Sequence, residues 1–157
     1  MEPHYRTKIV YIAQGGLQNV LRVNKKIEYA IIALLYLNDK EDKVASVREI
    51  SAISKTPETL LSKVMQSMKN SGLVEAVYGN HGGYRLSRNL SEINLLNLTE
   101  ILAGPVQVTE CLEPGNESCP VKTTCAIVAP MHLLNQKIIH LFQETSLESL
   151  AGKRAVS

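Results

Sequence analysis

The chain has 157 residues, 45% of them hydrophobic, with no Trp and one Phe. It therefore fits one compact domain with an aliphatic core, or a small domain with an appended helix. The net charge of +2 hides an asymmetry: residues 22–90 hold 11 Lys/Arg against 7 Asp/Glu, and residues 91–157 hold 4 against 7. A basic first half suggests a polyanion-facing unit joined to something else. No apolar run reaches membrane-spanning length, so a helical membrane protein is excluded and no membrane partner is expected.

Residues 1–21 show no clean periodicity. Gly15-Gly16 is compatible with a ribosome-binding site, and Val20 or Leu21 with an alternative start codon, so these residues are expected to be an extension from a misassigned start. Residues 1–23 also lack a basic start, an unbroken apolar run and a small-residue cleavage site, which predicts a cytoplasmic protein.

Ile27 to Leu37 reads as a buried helix, with Ile27, Ala30, Ile31, Leu34 and Leu35 spaced to face a core. A polar loop, NDKEDK, follows. Ser46 and Glu49 have capping-box spacing, in which each side chain satisfies a free amide at a helix start; Ile50 and Ile53 are the apolar stripe of that second helix. A third helix is predicted with Thr56 as N-cap, Pro57 at the first helical position and Gly72 as the stop. Its apolar face is Leu60, Leu61, Val64, Met65 and Met68, and its polar face Thr59, Ser62, Lys63, Gln66 and Asn70.

LVEAVY then reads as a short strand, GNHGG (79–83) as a turn and YRLSR as a second strand. Three helices and a glycine-turned hairpin describe a winged helix-turn-helix over residues 22–90, mainly α with a small β-wing. In that arrangement the third helix enters the major groove of double-stranded DNA while the hairpin lies along the backbone or minor groove. The candidate DNA contacts on the helix are Thr56, Thr59, Ser62, Lys63 and Gln66.

Residues 91–125 read as a linker helix, Leu95 to Ala103, followed by a cysteine loop. All three cysteines, Cys111, Cys119 and Cys125, fall in ECLEPGNESCPVKTTC. An odd number cannot pair off completely, and grouped thiols in a reducing compartment more often bind metal or carry redox chemistry than form staples. Pro114, Gly115, Asn116 and Pro120 keep the segment irregular, and soft thiolates suit zinc, copper(I) or an iron–sulfur cluster. From Ala126 a long C-terminal dimerisation helix is expected, which with a C-terminal tail makes up residues 126–157. Ile127, Met131, Leu134, Ile138 and Leu141 form a coiled-coil-like seam, with Pro130 required in the first turn. The seam suits either a homodimer on a palindromic operator or packing within the chain.

LRVNKKIEYAIIALLYL, TPETLLSKVMQSMKNSGLV, VYGNHGGYRLSR, the cysteine loop and TSLESLA together resemble the Rrf2 family of bacterial winged-helix regulators, with its IscR-, NsrR- and RirA-like branches. The likeness spans about residues 21–151. It implies a homodimer whose N-terminal half binds DNA and whose loop carries a 4Fe–4S or 2Fe–2S cluster that alters DNA affinity. Cys111, Cys119 and Cys125 match the family's cluster cysteines, with a longer first interval. The IscR-like pattern has a His three residues after the third cysteine, where this chain has Val128. The NsrR-like pattern has a carboxylate before a Tyr-Ala pair on the first helix, reaching across from the partner subunit. Glu28, before Tyr29-Ala30, stands there; the competing reading pairs Glu28 with Lys25. The resemblance also puts Thr59 and Ser62 at base-contacting positions and Tyr78 where IscR-like proteins carry a wing arginine, so that Tyr78, His81 and Arg85 are the candidate DNA contacts of the wing.

The alternatives are a structural zinc held by Cys111, Cys119, Cys125 and His132, or no metal. A thiol enzyme using Cys125 with His132 is disfavoured, because two helical turns separate such a pair by roughly 10 Å. No phosphate loop or metalloprotease motif is present, so no enzyme is expected.

Overall fold

The structure, a computed structural model, describes residues 23–112, 115 and 119–151. The proposed extension at residues 1–21 lies outside them. Helix α1 (Lys25–Asp39) is capped by Asn24, whose side chain accepts from the Lys26 amide at 3.0 Å. It buries Ile27, Ala30, Ala33, Leu34 and Leu37. Ile31 and Leu35 are only partly buried against that core.

Helix α2 (Val47–Ser54) begins as expected at Ser46, whose hydroxyl accepts from the Glu49 amide at 3.1 Å. The Glu49 carboxylate is aided by the Ser46 amide, the reciprocal side of the box, but its closest partners lie elsewhere. It accepts from the Tyr36 hydroxyl at 2.7 Å and pairs with Lys40 at 2.9 Å. The charged partner is the stronger one, so Glu49 also ties α2 to the end of α1. Ile53, expected in the core stripe, is exposed, and α2 contributes only Ile50 to the buried set.

Helix α3 (Glu58–Asn70) starts one residue later than predicted. Pro57 is the N-cap, extended at ψ 122, and no side chain caps the helix. Thr56 is buried instead: its hydroxyl lies 2.8 Å from that of Ser54, and its carbonyl accepts from Ser51 at 2.6 Å. Those bonds consume Thr56 inside the turn between α2 and α3. At the other end Gly72 takes φ 73, the left-handed conformation glycine favours. The Leu73 amide reaches back to Met68 at 2.9 Å and the Gly72 amide to Lys69 at 3.0 Å. This is a Schellman stop, and it points the chain into the wing.

Strands β1 (Val74–Val77) and β2 (Gly83–Leu86) pair antiparallel in the register Val74↔Leu86 to Val77↔Gly83. A third short contact joins them: Ala45 and Tyr84 exchange backbone bonds at 3.0 and 2.8 Å. After a 3-10 turn at Leu90–Glu92 comes α4 (Leu95–Ala103), capped by Asn94. Helix α5 (Val128–Glu144) starts at Val128 with Pro130 in its first turn, where the missing amide costs no helical bond.

A short helix not predicted from periodicity, α6 (Leu147–Ala151), ends the described chain. The Leu147 amide donates to Ile93 at 2.9 Å and the Leu95 amide to Thr145 at 2.9 Å, which brings the chain back to the start of α4. Leu147 is fully buried in one core cluster with Leu34, Leu37, Met65, Ile93 and Leu98.

The Glu49 network generates a pH prediction. Lys40 first, and then Tyr36, hold the Glu49 carboxyl below the usual carboxylate range. A folded-state pKa below the unfolded one gives stability that is complete above about pH 4.3 and drains away as pH falls through the lowered value. Glu49→Gln should therefore cost about 1 kcal/mol at neutral pH. Urea unfolding followed down the acid range should show the two proteins converge once Glu49 is protonated.

Candidate nucleic-acid interface and cysteine loop

The rotation of α3 is set by four buried residues, Leu61, Val64, Met65 and Met68, which pack the helix on α1, α2 and β1. With that face filled, Thr59, Ser62, Lys63 and Gln66 are all exposed. Thr59, Ser62 and Lys63 have no side-chain partner among the described residues, while Gln66 donates to Asn70 at 2.9 Å along the same helix. The surface thus offers two hydroxyls, one ammonium group and one amide, a set able to serve base edges and phosphates alike. Leu60, expected in the apolar face, lies at its margin and is 44% exposed.

The wing stands beside this helix. Tyr78 is 87% exposed and His81 is exposed at the tip. Arg85, also exposed, pairs with Glu75 across the hairpin, so its charge is partly spent within the wing. Gly83 lets the wing approach α2: a Cβ there would lie 2.3 Å from the Ala45 carbonyl oxygen. That contact is why the strand residue before Tyr84 has no side chain.

The cysteine loop is built differently. Cys111 sits in a 3-10 turn at Glu110–Leu112, its sulfur 3.1 Å from the Thr109 hydroxyl. The start of the loop is tied to α5 by the Val108 amide, which donates to the Asn135 side chain at 3.0 Å. Cys119 and Cys125 are joined by a series of turns, with the Lys122 amide donating to the Cys119 carbonyl and the Val128 amide to that of Cys125. All three thiols are half-buried and none is in a disulfide.

Donor chemistry fits a soft metal centre: three half-buried thiols, with no strand among the described residues around them. Their positions are not gathered, however. Among the described residues no three His, Cys, Asp or Glu side chains converge to hold a metal ion. Glu28 lies in the first turn of α1 and accepts from Lys25, the pairing weighed against a ligand role. His132 is exposed on α5.

Comparison with known proteins places this architecture. A family described as iron-dependent transcriptional regulator, Rrf2, matches residues 23–153. The chain belongs to the Rrf2 family. Protein aau3 of Rhizobium meliloti is 29% identical over 134 residues, 85% of this chain and 87% of that protein. The regulator NsrR of Oceanobacillus iheyensis is 27% identical over 134 residues, 83% and 89% of the two chains. Among solved structures, the cysteine regulator CymR of B. subtilis superposes with a TM-score of 0.67 at 20% identity, covering 86% of this chain and 99% of its own. IscR of T. potens gives 0.64 at 19%, covering 86% and 89%. The mainly helical fold with a two-stranded wing is thus that of Rrf2 winged-helix regulators, and the chain is a DNA-binding transcription regulator rather than an enzyme. Among the described residues no helix is long and apolar enough to cross a membrane.

The Gly83 approach supplies a test of how the wing is held. Gly83→Ala should destabilise the fold by about 2 kcal/mol through overpacking against the Ala45 carbonyl. Thermal unfolding measures this, and helical circular dichroism at low temperature should stay unchanged.

Proposed function

We propose that this Rrf2 protein is a homodimeric regulator that reads a palindromic operator with α3 and the wing, and that its cysteine loop holds an iron–sulfur cluster. The observation that carries the proposal is the placement of three half-buried thiols, none in a disulfide, between α4 and a helix that leaves much of its apolar seam exposed. Helix α5 has no buried residue in the single chain. Ile127, Leu134 and Leu141 of its seam are exposed, as is Leu133, whereas Met131 and Ile138 are half-buried. An apolar helix face left open in this way suits pairing with the same face of a second copy.

Cys111, Cys119 and Cys125 would hold the cluster, with Glu28 of the partner subunit as fourth ligand and the competing Lys25 pair released. Bound there, an iron–sulfur cluster supplies chemistry sensitive to redox state and nitric oxide. The protein's part is to convert the position of the loop into the spacing of two recognition helices. Val108 and Asn135 link the loop to α5, and α5 packs on α4, which packs on α3. A coupling of about 1–3 kcal/mol between loop and reading face suffices to change operator occupancy several-fold or more. On the DNA side, Thr59, Ser62, Lys63 and Gln66 face the groove, and Tyr78, His81 and Arg85 the backbone. Thr56 is left out, because its hydroxyl is buried in the turn.

Purification without air, followed by iron and sulfide analysis, tests the cluster: colour with both elements present is the expected result. Cys119→Ala should lose the colour and stay folded; colour at wild-type intensity would remove Cys119 from the ligand set. Ser62→Glu should weaken DNA binding by at least about tenfold, by setting a carboxylate against phosphates. Fluorescence anisotropy with duplex DNA measures it, and an unchanged affinity would take Ser62 off the reading face.

A further inference from the structure

We propose that the cleft beside the recognition helix binds a small amphipathic carboxylate, and that this ligand draws Lys63 away from DNA. The second half of the statement rests on the reading above, in which Lys63 meets the nucleic acid. The cleft encloses about 270 Å³ and is lined by Lys26 of α1, Leu60, Lys63, Val64 and Ser67 of α3, and Leu102 of α4. Four of these six residues belong to the helix that would read DNA, so whatever fills the cleft touches the reading element directly.

The lining chooses the ligand. Neither Lys26 nor Lys63 has a side-chain partner among the described residues, although the adjacent Lys25 is taken by Glu28. No carboxylate lines the cleft, so nothing there neutralises the two ammonium groups. Val64 and Leu102 are buried, and Leu60 keeps 44% of its surface in solvent. A cation is repelled by this set. A neutral apolar molecule would cover the leucine while desolvating two unpaired charges, which is costly. A carboxylate on a short alkyl body answers both requirements, since its head pairs with the ammonium groups and its body covers Leu60. The volume falls just under the range of about 300–1,000 Å³ usual for drug-sized ligands, which favours a body of only a few carbons.

Lys63 cannot give its charge fully to a carboxylate in the cleft and to a DNA phosphate at the same time. Occupancy therefore removes about one phosphate contact per subunit, which flattens the salt dependence of DNA binding by about 0.9 per contact in log–log slope. Reciprocity requires DNA to weaken the carboxylate to the same degree.

The full-length protein tests this with hexanoate as probe and hexylamine and hexanol as controls, by titration calorimetry. Hexanoate is expected to bind, with neither control doing so. Lys26→Gln, at a position assigned no DNA contact, should weaken hexanoate about tenfold and leave affinity for random-sequence duplex unchanged in its absence. Saturating hexanoate should flatten the wild-type salt slope. Lack of hexanoate binding, or equal binding of hexylamine, overturns the inference while leaving the regulator reading intact. A dimer weakened by Lys26→Gln with no hexanoate heat identifies a second copy as the occupant and also overturns it. Hexanoate binding with an unchanged salt slope removes the coupling to Lys63. A protein that binds no DNA under any salt condition defeats the regulator reading instead, and the calorimetry still reports on the cleft.

Discussion

The exposed polar face of α3, the proposed reading surface, depends on one packing constraint, the burial of Leu61, Val64, Met65 and Met68 on a single side of the helix. Burying side chains of this size stabilises a fold by about 1.5–3 kcal/mol each, so rolling α3 to another angle would forfeit most of what holds it. The polar residues do not choose their direction. They point outward because the opposite side is committed, and Thr59, Ser62 and Lys63 need no bonds of their own to stay on the surface. The Schellman stop at Gly72 carries that orientation forward into β1, and the Ala45–Tyr84 bridge ties the wing back to the entrance of α2. Helix and hairpin are therefore held as one rigid pair.

The second half of the chain follows a different logic. Helix α5 fully buries none of its residues and rests on α4 through half-buried side chains such as Met131 and Ile138. Among the described residues the cysteine segment has turns and a side-chain tie from Val108 to Asn135 where the first half has a packed core. This contrast matches the charge asymmetry: the first half is basic and well packed, the second acidic and sparsely packed.

Element types and order were legible in the sequence, because the apolar spacing of α1, α3 and α4 matches the cores they fill. Errors arose where a side chain had a better partner than the local one. Glu49 stands at the capping box but takes Lys40 and Tyr36 as its closest partners, residues nine and thirteen positions earlier. Thr56 was read as a cap and a DNA contact, yet it closes a turn with Ser51 and Ser54, an arrangement that spacing alone does not distinguish from capping. Ile53 and Leu60 fit a stripe by number, but the core is narrower than the stripe. Helix α6 was invisible because its five residues are too short for a period, and it exists through tertiary bonds to residues 93–95. Of the sites, the exposure of the α3 polar face followed directly from periodicity. The loop's thiols were identifiable by clustering, while their separation in the single chain had no signal in the residues.

The return of the chain after α5 has one more consequence. Residues 104–146 leave the core at the end of α4 and come back where Leu147 docks on Ile93, so both ends of that excursion are moored to the same body. None of Cys111, Cys119 and Cys125 belongs to the buried cluster. A chemical change at these sulfurs therefore leaves the packing of the first half untouched, because no core contact has to open for it.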